Sequence, residues 1–76
     1  MMDDKRKLMG ARIVYYRNLN GCTQTKLSEM IGVTRQYLSK LEHGKCSCSM
    51  ETMFRIAEIL KIDPAELVSD DWPNKK

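Results

Sequence analysis

The sequence predicts an all-α fold, a compact bundle of five short helices, and three observations carry that prediction. Apolar residues recur at helical spacing through each of the longer segments. No segment alternates apolar and polar residues for long enough to suggest a strand. Glycine, proline and helix-capping residues divide the chain at short intervals.

The first helix is expected over 5–18, with Asp3 and Asp4 ahead of it, where negative charge suits a helix start. Met9, Ile13, Tyr16 and Leu19 form its inner stripe, and Asn20-Gly21 stops it. Thr23 caps a second helix, 24–31, with Leu27, Met30 and Ile31 facing inward. Gly32 ends it, at a point that calls for a left-handed residue. Thr34 opens a third helix, 34–43, with Leu38 and Leu41 as its buried side and Gly44 closing it. Ser49 caps a fourth, with Met53, Ile56, Ala57 and Leu60 on one face. Asp63-Pro64-Ala65-Glu66 supplies a capping Asp, a first-turn Pro and a Glu three residues after the cap. It opens a short fifth helix that ends near Val68. One domain is expected over 1–76, its core at about 5–68 and its tail, 69–76, flexible apart from Trp72.

The chain has 76 residues, 42% of them hydrophobic and 30% charged, which describes an ordinary globular domain. No apolar run approaches the roughly 18–20 residues of a membrane helix. The opening residues MMDDKRKLMGAR place charges where a secretory signal needs apolar residues, so the protein is expected to be cytoplasmic. Cysteines at 22, 46 and 48 are a poor disulfide framework, being odd in number. A chain this short removes only about 60–65% of its unfolded surface on folding, so a homodimer is a natural source of added stability. There is no Gly-rich phosphate loop, no base beside a nucleophile and too little chain for a closed pocket, so no enzyme and no cofactor are expected.

Charge is distributed unevenly. Residues 1–48 hold nine Lys/Arg against four Asp/Glu, and residues 49–76 hold four against six, within a net charge of +3. The basic half is a candidate surface for a polyanion. Inside it, TQTKLSEMIGVTRQYLSKLEHG reads as two short helices joined by a tight turn at Gly32, the pattern of a helix-turn-helix. Ser28 is small where the two helices approach closely, and Val33 packs beneath the turn. Leu38 and Leu41 hold the second of these helices to the core, leaving Arg35, Gln36, Ser39, Lys40 and His43 outward. That outward face carries no acid and offers side chains suited to base edges: Arg or Lys for guanine, Gln for adenine. Read by itself, the same face also fits a solvated surface on an ordinary bundle.

The segment from Gly10 to Val68 resembles the phage-repressor-like (Cro/XRE) helix-turn-helix family. The residues that carry the resemblance are Ile13, Arg17, Thr23-Gln24, Leu27, Gly32-Val33, Leu38, Glu42 and Gly44, continued by Met50-Glu51-Thr52, Ile56-Ala57, Leu60 and Leu67. It implies a lambda-repressor-like five-helix bundle that binds operator DNA and regulates transcription. It places Arg35, Gln36 and Lys40 at base-reading positions. Gln24 is implied to touch a phosphate and brace the recognition helix. Thr34 and Tyr37 are implied as phosphate or thymine-methyl contacts and Lys45 and Lys26 as further backbone contacts, and His43 is read as a surface residue near phosphate. Arg17 and Glu42 are implied to be a structural pair linking the first helix to the third.

The expected partner is double-stranded DNA, bound by a homodimer whose contact lies at the acidic end, with Leu67, Val68 and Trp72. The alternative is an antitoxin-type module whose main task is to bind a protein partner. Two departures from the family stand out: Ser28 where Ala is usual, and KCSCS where a polar loop with Pro is more common. His43, Cys46, Cys48 and Cys22 are the right residue types for metal ligation. Cys-x-Cys is a poor match to zinc spacing, so reduced, half-buried cysteines and no metal are expected.

Overall fold

The computed structural model describes residues 2–68, with side chains from Lys5 onward. The expected flexible tail, Trp72 included, lies outside the described residues. Within them the order is α1 (Met2–Leu19), α2 (Gln24–Ile31), α3 (Arg35–Glu42), α4 (Met50–Leu60) and α5 (Ala65–Val68). The all-α, five-helix architecture is as the sequence predicts. α1 begins earlier than expected, so Asp3 and Asp4 occupy its first turn instead of preceding it.

The caps form where local chemistry calls for them. Thr23 Oγ1 accepts from the Lys26 amide at 3.1 Å, Thr34 Oγ1 from Tyr37 at 3.0 Å and Ser49 Oγ from Thr52 at 3.1 Å. Each satisfies an amide that has no partner within its own helix. Gly32, at φ 88°, closes α2 with its amide on the Ser28 carbonyl. Asp63 Oδ1 accepts from the Ala65 amide at 2.9 Å to start α5. Lys61 closes α4 in the left-handed region at φ 61°, a position with no glycine to mark it in the sequence.

The core gathers Ile13, Leu27, Ile31, Leu38, Leu41, Ile56, Ala57, Leu60 and Leu67. α1 packs against α3, α4 and α5, and α2 against α3 and α4. Two inward assignments and one outward assignment need correction. Met30 is 52% exposed and Leu19 is 65% exposed. α2 has only eight residues and buries the arc of Leu27, Ser28 and Ile31. At about 100° per residue, Met30 falls beyond that arc. Leu19 belongs to the last turn of α1, past the part that its neighbours cover. Leu67, expected at a dimer contact, is 1% exposed and is core, because α5 lays it against α1. The Ser28 hydroxyl, buried where the helices approach, donates to the Thr25 carbonyl at 2.8 Å.

Candidate nucleic-acid interface

The site is built around α3. Taking Arg35 as zero and advancing about 100° per residue, Arg35, Gln36, Ser39, Lys40 and His43 fall within an arc of roughly 140°. Leu38, Leu41 and Glu42 occupy the opposite arc, and those three are the buried residues of α3. Arg35, Gln36, Lys40 and His43 are exposed and Ser39 is half-buried. Arg35, Gln36 and Lys40 make no side-chain hydrogen bond or ion pair among the described residues, so their donors are free for an external acceptor.

The inner side of α3 is held by one carboxylate. Glu42 Oε2 accepts from Arg17 Nε at 2.8 Å, and Oε1 accepts from Arg17 Nη2 at 3.2 Å and from Gln24 Nε2 at 2.9 Å. Arg17 Nη1 also donates to the Cys22 carbonyl at 3.1 Å. α1, the turn before α2, the first residue of α2 and the end of α3 therefore meet at a single ionic knot. The side chains of Arg17 and Glu42 are 14% and 3% exposed, so water weakens this pair little. The Arg17–Glu42 link and the bracing by Gln24 are where the resemblance placed them.

Of the remaining expected contacts, Thr34, Tyr37, His43 and Lys45 lie on α3 or next to it in the chain, whereas Lys26 stands beside Asn20, Gly21, Met30 and Lys61. Thr34 caps the start of α3 through its hydroxyl. Tyr37 is half-buried and donates its hydroxyl to the Ser47 carbonyl at 3.1 Å. That bond ties α3 to the loop after it. Burial, then Cys46 and Cys48, push the Tyr37 hydroxyl above its usual range, so it stays protonated as a donor. His43 Nδ1 lies 2.7 Å from the Ser39 carbonyl and must donate there, which leaves Nε2 facing outward. Lys26 and Lys45 are exposed. Cys22, Cys46 and Cys48 are free thiols, each half-buried. Burial and the neighbouring Cys46 raise the Cys48 thiol above its ordinary value, partly offset by a backbone hydrogen bond. Among the described residues, no three His, Cys, Asp or Glu side chains come together to hold a metal.

Three structural residues escaped the sequence reading. Gly10 lies where α1 crosses the end of α3: a Cβ there would stand 2.4 Å from the Glu42 carbonyl oxygen and 2.6 Å from that of Leu41. Arg55, on α4, donates to the Ile31 carbonyl at 3.2 Å and so supports the end of α2. Arg12 is 2% exposed on the inner side of α1. Only Gly10 left any signal, as a helix-weakening residue inside a helical pattern.

A short exposed helix, anchored on its inner side to a capped helix before it and joined to that helix by a glycine turn, defines a helix-turn-helix DNA-binding domain. The chain belongs to this family, in its phage-repressor-like Cro/XRE form: the family described as Helix-turn-helix matches residues 13–67. The HTH-type transcriptional regulator y4dJ of Sinorhizobium fredii is 35% identical over 72 residues, covering 92% of this chain and 94% of that protein. The restriction-modification controller protein C.AhdI of Aeromonas hydrophila superposes with a TM-score of 0.76 at 31% identity, covering 84% of this chain and 96% of that one. The DNA-binding domain of the P22 c2 repressor gives 0.81 at 25% identity, covering 93% of each chain. The protein is a helix-turn-helix transcriptional regulator and not an enzyme. No described helix is long and apolar enough to cross a membrane.

Proposed function

We propose that the protein is a sequence-specific repressor that binds operator DNA as a homodimer and controls its own transcription. One observation carries the reading. α3 turns Arg35, Gln36 and Lys40 outward with unspent donors and no acid between them, while Glu42 pins its other side. Such a helix enters a major groove without rearrangement, and its side chains match guanine and adenine edges. Gln24, Thr34, Tyr37, His43 and Lys45 would serve as backbone contacts about that helix, with Lys26 farther along α2, and such contacts fix register but carry no sequence information. A repressor and a controller protein among the structural relatives support a role in controlling transcription.

The homodimer rests on a surface at the start of α1 and the end of α5. Leu8 and Val68 are about half exposed there, at 48% and 55%, beside the partly buried Met9. Two recognition helices related by a two-fold axis would meet half-sites about 34 Å apart.

The test is a fluorescence-anisotropy titration against the gene's upstream region and a scrambled duplex, at two salt concentrations. Preference for the upstream duplex by about a thousandfold supports a specific, self-regulating factor. The Gln36→Ala variant should lose preference at one base pair and keep most of its non-specific affinity. Unchanged specificity in that variant removes Gln36 from the readout. Absence of binding to any duplex would favour a protein partner in place of DNA.

A further inference from the structure

We propose that Lys7, at the start of α1, is a DNA-phosphate contact that acts together with Lys45 and His43. The inference rests on the reading of α3 as the recognition helix and extends its interface to an element that the helix-turn-helix itself does not include.

The geometry begins at Gly44, the residue between His43 and Lys45. Its φ is 73°, and a Cβ on it would stand 2.7 Å from both Cα and Cγ of Lys7 and 2.8 Å from the Lys7 nitrogen. The backbone of α1 and the first part of the Lys7 side chain therefore lie directly on the turn that ends α3. One helical turn later, Gly10 meets the Glu42 carbonyl as closely. Two residues without side chains, one on each side of the crossing, let α1 settle to this distance. The consequence is a lysine held beside two residues that the proposed function sets against the DNA backbone.

Among the described residues, no partner takes up the charge of Lys7. Lys7 is exposed, and it makes no ion pair or side-chain hydrogen bond among the described residues. The acid at the end of α3, Glu42, is turned inward and occupied by Arg17 and Gln24. Lys7 and Lys45 thus bring two positive charges to the turn, with His43 beside them. A phosphate group relieves their mutual repulsion, and a lysine side chain is long enough to reach one beyond the turn.

A structural role is the competing explanation, since a cation near the last carbonyls of α3 is favourable by itself. The salt dependence of binding separates the two, because counterion release counts only phosphates contacted. The experiment uses the full chain and a mixed-sequence duplex, so the operator need not be known. Affinity is measured across a salt series for the wild type, Lys7→Gln, Lys7→Arg, Lys40→Gln and Lys61→Asn, with thermal melting alongside. Lys61 lines one cavity with Asn20, Gly21 and Lys26, at the other end of α1 from Gly44, and is itself assigned no DNA contact, so it controls for the loss of one charge. Asn is chosen there because it tolerates the left-handed backbone of that position.

Loss of one phosphate contact should lower the slope of log K against log salt by about 0.9 and weaken binding about eightfold at 0.1 M salt. We expect this for Lys7→Gln, with Lys7→Arg and Lys61→Asn close to the wild type. If Lys40→Gln weakens binding while Lys7→Gln keeps the wild-type slope and affinity, the Lys7 contact is wrong and the recognition face stands. A lowered melting temperature with an unchanged slope would assign Lys7 to the carbonyl end of α3 and likewise overturn the proposal. A wild-type chain that binds no duplex at any salt would remove the DNA reading, and this inference with it.

Discussion

Replacing Glu42 by Gln should destabilise the protein far more than its single-atom change suggests. The carboxylate accepts three hydrogen bonds, two from Arg17 and one from Gln24, and its side chain is 3% exposed. An amide in its place has one oxygen to accept, and turns an N–H₂ group against donors from Arg17 or Gln24. The Arg17 guanidinium, 14% exposed, is then left without its counter-charge. Breaking a buried pair in this way costs about 3–5 kcal/mol. A domain of this length has a total stability of roughly 4–11 kcal/mol, so a large share of it would go. Each kcal/mol shifts the melting temperature of so small a domain by about 4–8 °C, and the expected drop exceeds 10 °C.

Circular dichroism melting at fixed pH and salt measures that drop. The double variant Arg17→Met with Glu42→Leu should be more stable than the sum of its single variants, because no charge remains buried alone. A loss below about 0.5 kcal/mol for Glu42→Gln, or strict additivity in the double variant, would refute the account of this knot. DNA affinity should fall with stability in Glu42→Gln, since the carboxylate holds the inner side of α3 and faces no ligand.

Gly10→Ala should destabilise the chain, although alanine normally favours a helix interior by about 1 kcal/mol. Its Cβ would meet the Glu42 carbonyl oxygen at 2.4 Å, and a melting temperature at or above the wild type would show that α1 can move away. Thr34→Ala should cost about 1 kcal/mol in chemical denaturation by leaving the Tyr37 amide uncapped, and Thr34→Ser should restore most of it. Stability should also decline as pH rises above about 8.5, the ordinary cysteine range. Cys48 and Tyr37 both hold their protons more tightly when folded, so their contribution is present below the unfolded pKa and is lost as pH rises through the folded one. Cys48→Ser should flatten the first part of that decline, and an unchanged profile would show that Cys48 contributes nothing to it.

Much of the candidate site is legible in the sequence because the signals are short-range. A Thr three residues before an amide announces a cap, and a Gly after a periodic run announces the end of a helix. Spacing alone separates Leu38 and Leu41 from Arg35, Gln36 and Lys40. The Arg17–Glu42 pair joins residues 25 apart, and only the family resemblance pointed to it. The bond from Gln24 gave substance to a bracing role that had no stated partner. Met30 and Leu19 fit the helical period and are nonetheless exposed, because a period shows which residues share a face but not how wide the neighbouring helices are.

The sequence by itself determined the number of helices, their order, nearly all of their caps and the composition of the outward face of α3. Those features depend on interactions within three or four residues, or on a pattern repeating along one helix. Only the tertiary structure decided that α1 rests on the turn after α3, that Gly10 and Gly44 permit that approach, and that Glu42 gathers donors from α1 and α2. It also placed Leu67 in the core and Lys7 beside Lys45. Each of these is set by how closely two helices distant in sequence can pack, and that distance is fixed by the volume of the side chains and the position of the backbone between them.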